Sequence, residues 1–211
     1  MDFRLESEFE QEIRSLCELI RWLHARGFTP ATSSNFSVRP QGARDIFAVS
    51  RTGVDKSTFS PDQMMLVDAS TGAARVPRDA RPSAETLIHV VLYELFPEAA
   101  CILHTHSVPG TVLSMQRASE GRIVFRDFEI LKGLEHHDSH DVEEVLPIFA
   151  NTQQMPELAA RLRAHVGEHP ELAGFLIEGH GLYTWGANVA AARRHLEVFE
   201  FLLECTLHLQ R

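Results

Sequence analysis

Positive charge is in short supply along this chain: Lys and Arg total 20 against 29 Asp and Glu in 211 residues, a formal net charge of -9. With no basic cluster, neither nucleic acid nor an anionic membrane surface is an expected partner. A phosphorylated small molecule is not excluded, because backbone amides and a metal ion can hold a phosphate locally. Cysteine is also scarce. Cys17, Cys101 and Cys205 are odd in number, far apart and without a Cys-x-x-Cys, which argues against a disulfide framework and for a reducing compartment. No apolar run approaches the ~18 residues of a membrane-spanning helix. Met1-Asp2-Phe3-Arg4-Leu5-Glu6 lacks a basic stretch leading into an apolar one, so the expected location is the cytoplasm. Internal repeats, low-complexity tracts and long linkers are missing too, and residues 1–211 read as a single domain.

What is present is a mixture of short strands and helices. Leu5, Phe9, Ile13, Leu16, Ile20 and Leu23 recur at steps of four and three, the stripe of a helix that Gly27 ends. Segments 32–39 and 45–50 read as strands joined through Pro40-Gln41-Gly42, and 64–68 as a third. It leads through Ser70-Thr71-Gly72 into a polar loop that ends at Pro82. Ser83 is the expected N-cap of a helix over 84–95, closed by Pro97. After a strand at about 99–106, further strands are expected at 123–125, 144–148 and 174–177, and a short one through Tyr183-Thr184-Trp185. Helices are expected at 156–165 and 188–209. Without a regular βαβ alternation, the fold class is α/β with a mostly antiparallel sheet covered by helices. Met64 and Met65 read as core; Leu196, Phe199, Leu203 and Leu207 read as core or subunit contact.

Chemistry gathers at histidine. The apolar run 99–103 ends in His104-Thr105-His106. On an extended strand residues i and i+2 share a face, so both imidazoles can reach one ion while Thr105 points away. His180, inside Glu178-Gly179-His180-Gly181, is a third candidate. Three neutral imidazoles suit zinc or a similar divalent metal, with a fourth position left to water or substrate. Chance is the competing reading of the pair, since 12 His will produce such spacings. His136, His137 and His140 form another cluster, His-His-Asp-Ser-His, but lack a spacing that converges all three, and an exposed polar turn is expected.

Thr32-Ser33-Ser34-Asn35-Phe36-Ser37-Val38-Arg39, Arg51-Thr52-Gly53-Val54, Pro82-Ser83-Ala84-Glu85, His104-Thr105-His106 and Gly179-His180-Gly181, in that order, resemble the signature of the class II (zinc-dependent) aldolase superfamily, which includes the adducin head. Phe128-Glu129-Ile130-Leu131-Lys132-Gly133, Pro147-Ile148-Phe149-Ala150-Asn151 and His180-Gly181-Leu182-Tyr183-Thr184-Trp185-Gly186 are similar to its methylthioribulose-1-phosphate dehydratase branch. The resemblance covers nearly the whole chain and implies a three-layer, single-domain fold. It implies one Zn2+ per subunit on His104, His106 and His180, and a homotetramer with active sites near subunit boundaries. The substrate would be a phosphorylated keto-sugar, its phosphate held by Ser33, Ser34, Asn35, Thr52, Gly53 and Ser83.

Those small hydroxyls, amides and flexible turns fit a phosphate cradle where cationic side chains are few, and Ser83 adds the positive end of a helix. Taken singly, each is equally a turn or cap residue. Lys56 near them reads as a solvated surface residue. The implied reaction takes 5-methylthioribulose 1-phosphate to 2,3-diketo-5-methylthiopentyl 1-phosphate in methionine salvage, losing water between C3 and C4. The C3 proton becomes acidic when a metal stabilises charge on the neighbouring carbonyl oxygen. A carboxylic acid that protonates the C4 oxygen contributes about 10²- to 10⁴-fold. Glu129 is the first choice for that acid. Glu85, at the position resembling the acid/base of sugar-phosphate aldolases, competes with it. Their plainer readings are a solvated strand residue for Glu129 and a helix-surface pair with His89 for Glu85. An aldolase or epimerase acting on another phosphorylated keto-sugar, and an adducin-head-like interaction domain without metal, remain as alternatives.

Overall fold

A computed structural model describes residues 3–75 and 82–209, with side chains from Ser7 onward. The polar loop expected before Pro82 therefore falls, at 76–81, outside the described residues, as does the side chain of Leu5. The first helix, α1 (Phe3–Ala25), follows the expected stripe, burying Phe9, Leu16, Ile20 and Leu23.

Eight strands form one sheet: β1 (Asn35–Val38), β2 (Ile46–Ser50), β3 (Met64–Asp68), β4 (Cys101–Thr105), β5 (Arg122–Arg126), β6 (Glu143–Phe149), β7 (Gly174–Ile177) and β8 (Gly181–Gly186). Their order is β3-β2-β1-β4-β8-β7-β6-β5. Every pairing is antiparallel except β6 with β7. The remaining helices are α2 (Thr86–Leu95), α3 (Val108–Gln116), α4 (Met155–Glu168) and α5 (Val189–Leu209). The central strands are apolar on both faces because both are covered. Phe47, Val49, Ile102, Phe175, Tyr183 and Trp185 pack against α2 and α4. Their neighbours Ala48, Cys101, Leu103, Leu176 and Leu182 pack on the other side, under α1, α3 and α5. This period of two, with a helical layer on each face, gives the three layers. Fully burying each Leu, Ile or Phe stabilises the fold by roughly 1.5–3 kcal/mol. Among the described residues no helix is long and apolar enough to cross a membrane.

Three local differences from the sequence reading matter for the site. The first strand begins at Asn35 rather than at residue 32, because Ser34 adopts a left-handed backbone (φ 73°) that turns 32–34 out of the sheet. Helix α2 begins at Thr86, with Glu85 at the N-cap, and Ser83 sits two residues outside, its Oγ accepting from the Glu85 amide at 3.3 Å. Helix α3 has no counterpart in the sequence reading. Only Gly110, Leu113 and Ser114 of it are buried, too short a stripe to register as periodicity. Its signal was the cap: Ser107 accepts from the Gly110 amide at 3.1 Å, with Pro109 in the first turn.

Helix α5 carries a buried carboxyl beneath β4. Glu200 is 4% exposed; its Oε1 accepts from the Thr105 hydroxyl at 3.0 Å, and among the described residues its Oε2 lacks a partner within hydrogen-bond distance. Burial pushes this carboxyl up to about 7 from 4.5. The folded state therefore holds a proton that the unfolded chain releases between these values. The contribution of Glu200 to stability is fullest below about pH 4.5 and is lost as pH rises to 7, by roughly 3 kcal/mol. Glu200→Gln, which keeps the acceptor for Thr105, is expected to flatten that dependence and raise stability at pH 8. Denaturant unfolding at pH 5 and pH 8 checks it, and an unchanged difference between the two would contradict it.

Candidate active site

Strand β4 delivers His104 as its fourth residue and His106 immediately past its end. His104 is fully buried, its ring stacked on Tyr183 of β8 with centroids 4.0 Å apart. His180 comes from the turn between β7 and β8. That turn needs two glycines. Gly179 has φ 61°, and a Cβ on Gly181 would lie 1.9 Å from the Thr105 carbonyl oxygen, so only glycine lets β8 start against β4. The turn is fixed from α3, where the Thr111 hydroxyl donates to the His180 carbonyl at 3.2 Å and Ser114 Oγ accepts from the Gly179 amide at 3.0 Å.

The three imidazoles converge through Nε2. His104 Nε2 lies 2.9 Å from that of His106 and 3.2 Å from that of His180. His104 Nδ1 faces the Leu182 carbonyl at 3.0 Å; a carbonyl only accepts, so Nδ1 carries the proton and Nε2 presents a lone pair to the other two rings. Burial lowers His104 and His106, the latter to about 4, which keeps the lone pairs available. Neutral nitrogen donors aimed at one point fit a divalent cation. Thr105 points the other way, to Glu200. The chain thus has a histidine-rich candidate metal site.

Glu85 stands at the same point. Its Oε1 lies 3.2 Å from His180 Nε2, and its Oε2 3.8 Å from His104 Nε2. Burial acts to raise this carboxyl, but the hydrogen bonds it accepts, from His180 and from Asn35, override it and hold it at about 2. The helix-surface pairing of Glu85 with His89 is not what forms. His89 is fully buried and faces the sheet, where it belongs to a directed chain of hydrogen bonds. Tyr93 Oη is 2.9 Å from Ser37 Oγ, and Ser37 Oγ is 2.7 Å from His89 Nδ1. His89 Nε2–H donates to Asn35 Oδ1, and Asn35 Nδ2 donates to Glu85 Oε2. Positions 35 and 37 share one face of β1, and 85, 89 and 93 one face of α2, so two periodicities interlock. Burial drives His89 down to about 3, keeping it neutral, as the relay requires.

Beside the carboxylate a cavity of about 150 Å³ brings together Ser33, Ser34, Asn35, Thr52 and Ser83 with Glu85 and His106. Asn35, grouped with the phosphate residues on sequence, has both ends of its amide engaged by Glu85 and His89. Gly53 does not line the wall; it is an exposed turn residue. Two cations differ from the sequence reading, which gave Arg51 no role of its own and placed Lys56 in solvent. Arg51 lines the cavity. Lys56 is not a solvated surface residue but fully buried, its Nζ donating to the carbonyls of Thr32 at 3.3 Å and Val54 at 3.1 Å. It ties together the two loops that carry the hydroxyls. Nothing local announces this, since both acceptors are backbone oxygens.

Glu129 lies elsewhere. It opens a 3₁₀ turn (Glu129–Gly133) rather than a strand, is exposed, and pairs with Lys132 and, at 3.6 Å, with His140. Within one chain it does not meet the histidine trio.

Comparison with known proteins agrees with this architecture. The family model described as Class II Aldolase and Adducin N-terminal domain matches residues 14–207. A methylthioribulose-1-phosphate dehydratase of Picosynechococcus sp. is 45% identical over 205 residues, 96% of this chain and 93% of that protein. One of Xanthomonas campestris pv. campestris is 48% identical over 190 residues, 90% of this chain and 85% of that protein. Among solved structures, an aldolase II superfamily protein from Pseudomonas syringae has the same fold, with a TM-score of 0.75 at 19% identity over 96% of this chain and 77% of its own. The chain therefore belongs to the class II aldolase and adducin N-terminal domain family and, within it, to the methylthioribulose-1-phosphate dehydratases.

Proposed function

We propose that this chain, as a single domain over 1–211, dehydrates 5-methylthioribulose 1-phosphate to 2,3-diketo-5-methylthiopentyl 1-phosphate in the methionine salvage of the cytoplasm, with one zinc ion on His104, His106 and His180. The observation that carries this reading is the convergence of three imidazole Nε2 atoms and one ionised carboxylate beside a hydroxyl-lined cavity, in a chain 41–48% identical to dehydratases. An interaction domain of the adducin-head kind has no use for that convergence.

A divalent ion bound by the trio supplies Lewis acidity to a substrate carbonyl oxygen. The chain's own residues do the rest. Ser33, Ser34, Thr52 and Ser83, with the Gly53 turn and Arg51, hold the phosphate and so fix the sugar carbons over the trio. Lys56 keeps the two cradle loops in register. Glu85 is ionised, stands at the trio and is oriented by Asn35, and this placement makes it the group that takes the C3 proton. In its own chain Glu129 pairs with Lys132, which holds it below the usual carboxylate range, so it acts as the acid only once it has left that pair and taken up a proton; that proton goes to the C4 hydroxyl, which leaves as water, and the resulting enol becomes the diketone. Because Glu129 sits on the outer surface of its own chain, it serves the trio of a neighbouring copy, in a homotetramer whose sites lie near subunit boundaries. The similarity of 128–133 to the dehydratase branch supports that role.

Comparing the phosphorylated sugar with its dephosphorylated counterpart tests the reading. Binding energy at the cradle is spent on orientation, so removing the phosphate is expected to lower kcat as well as raise KM, for a loss in kcat/KM on the order of a hundredfold or more. Equal turnover of both would overturn the cradle.

A further inference from the structure

The His-His-Asp-Ser-His cluster divides in the fold. His140 turns toward Glu129, whereas His136 and His137 turn to β6, and the Nε2 of each lies 2.8 Å from the same oxygen, Oε2 of Glu144. Neighbouring residues diverge on a strand. Here an irregular turn, anchored by buried Leu134 and closed by the His137 amide on the Leu134 carbonyl at 3.1 Å, brings the two rings onto one point with centroids 4.0 Å apart. The Glu144 side chain is only 6% exposed. Among the described residues its ion-pair partners are these two imidazoles, so three potential ligand atoms meet at one buried point.

We infer that His136, His137 and Glu144 form a second divalent transition-metal site, separate from the trio and sharing no residue with it. The donor set, two imidazole nitrogens and one carboxylate oxygen, suits zinc, nickel or cobalt. Ligand atoms around a tetrahedral ion with bonds of ~2.0–2.1 Å stand ~3.3 Å apart. The trio, at 2.9 and 3.2 Å, and this cluster, at 2.8 Å, are both a few tenths of an ångström tighter than that, a gap that small ring rotations open. The three side chains border a cavity of about 440 Å³ that His165 and His169 also line. The ion would clip the turn after the Glu129 segment onto β6.

Metal stoichiometry tests this without reference to catalysis. Wild-type chain stripped with a chelator, reloaded with Zn2+ or Co2+ and gel-filtered is expected to retain two equivalents. The double variant His104→Ala/His106→Ala is expected to keep one, and His136→Ala/His137→Ala also one. Glu144→Gln, which preserves shape and is checked for folding by its thermal transition, is expected to lose the second equivalent as well. One equivalent in the wild type overturns the site, as does none in folded His104→Ala/His106→Ala, or two in folded His136→Ala/His137→Ala. The first double variant also separates this site from the proposed catalytic one, because the second equivalent survives there whatever the trio does.

Discussion

Replacing His106 or His180 by alanine is expected to remove the ion held by the trio and to lower turnover on the order of 10³-fold or more, since the charge developing on the substrate oxygen loses its stabilising partner. His104→Ala is expected to do the same, but that ring is fully buried and stacked on Tyr183, so its loss also leaves a cavity and costs about 2–5 kcal/mol of stability by analogy with other large-to-small changes. The rings of His106 and His180 are partly exposed; their variants separate loss of chemistry from loss of fold. Elemental analysis, kcat and thermal unfolding measured on all three give the pattern: activity lost throughout, stability lost mainly for His104→Ala. Full turnover by any of them after exhaustive chelation would contradict a metal centre there.

The second large effect concerns the carboxylates. Glu85→Gln removes the base while keeping an amide that still accepts from Asn35, so metal binding is retained and kcat falls by about two to four orders of magnitude. Glu129→Gln is expected to fall by a similar factor, although in its own chain Glu129 is exposed and meets only Lys132 and His140. Mixing the two inactive variants decides how one residue so placed can matter. If sites are completed across a boundary, mixed assemblies contain trios with an intact Glu85 on one chain and an intact Glu129 from the next, and activity recovers far above either parent. Near-wild-type turnover by Glu129→Gln assigns both proton transfers to Glu85; two inactive parents without recovery place both residues in one chain's site.

The sheet was legible because burial on both faces writes strands as apolar runs, and β3 and β7 have the bounds that the sequence reading assigns. The trio was legible for a related reason: i, i+2 spacing on a strand and a glycine-flanked turn are local signals. What failed to register depends on partners distant in the chain. Asn35 reads as a cradle residue until His89, 54 positions away, and Glu85, 50 positions away, claim its amide. Lys56 reads as surface because its acceptors are carbonyls, which any residue provides. His136 and His137 read as a polar turn because only the fold brings β6 under them.

The most direct measurement is the mass of the product that wild-type protein forms from 5-methylthioribulose 1-phosphate. The account predicts a single product lighter by one water, with the carbon chain and phosphate intact. A three-carbon fragment or an aldehyde would show carbon–carbon cleavage through the same trio and Glu85, and would contradict dehydration.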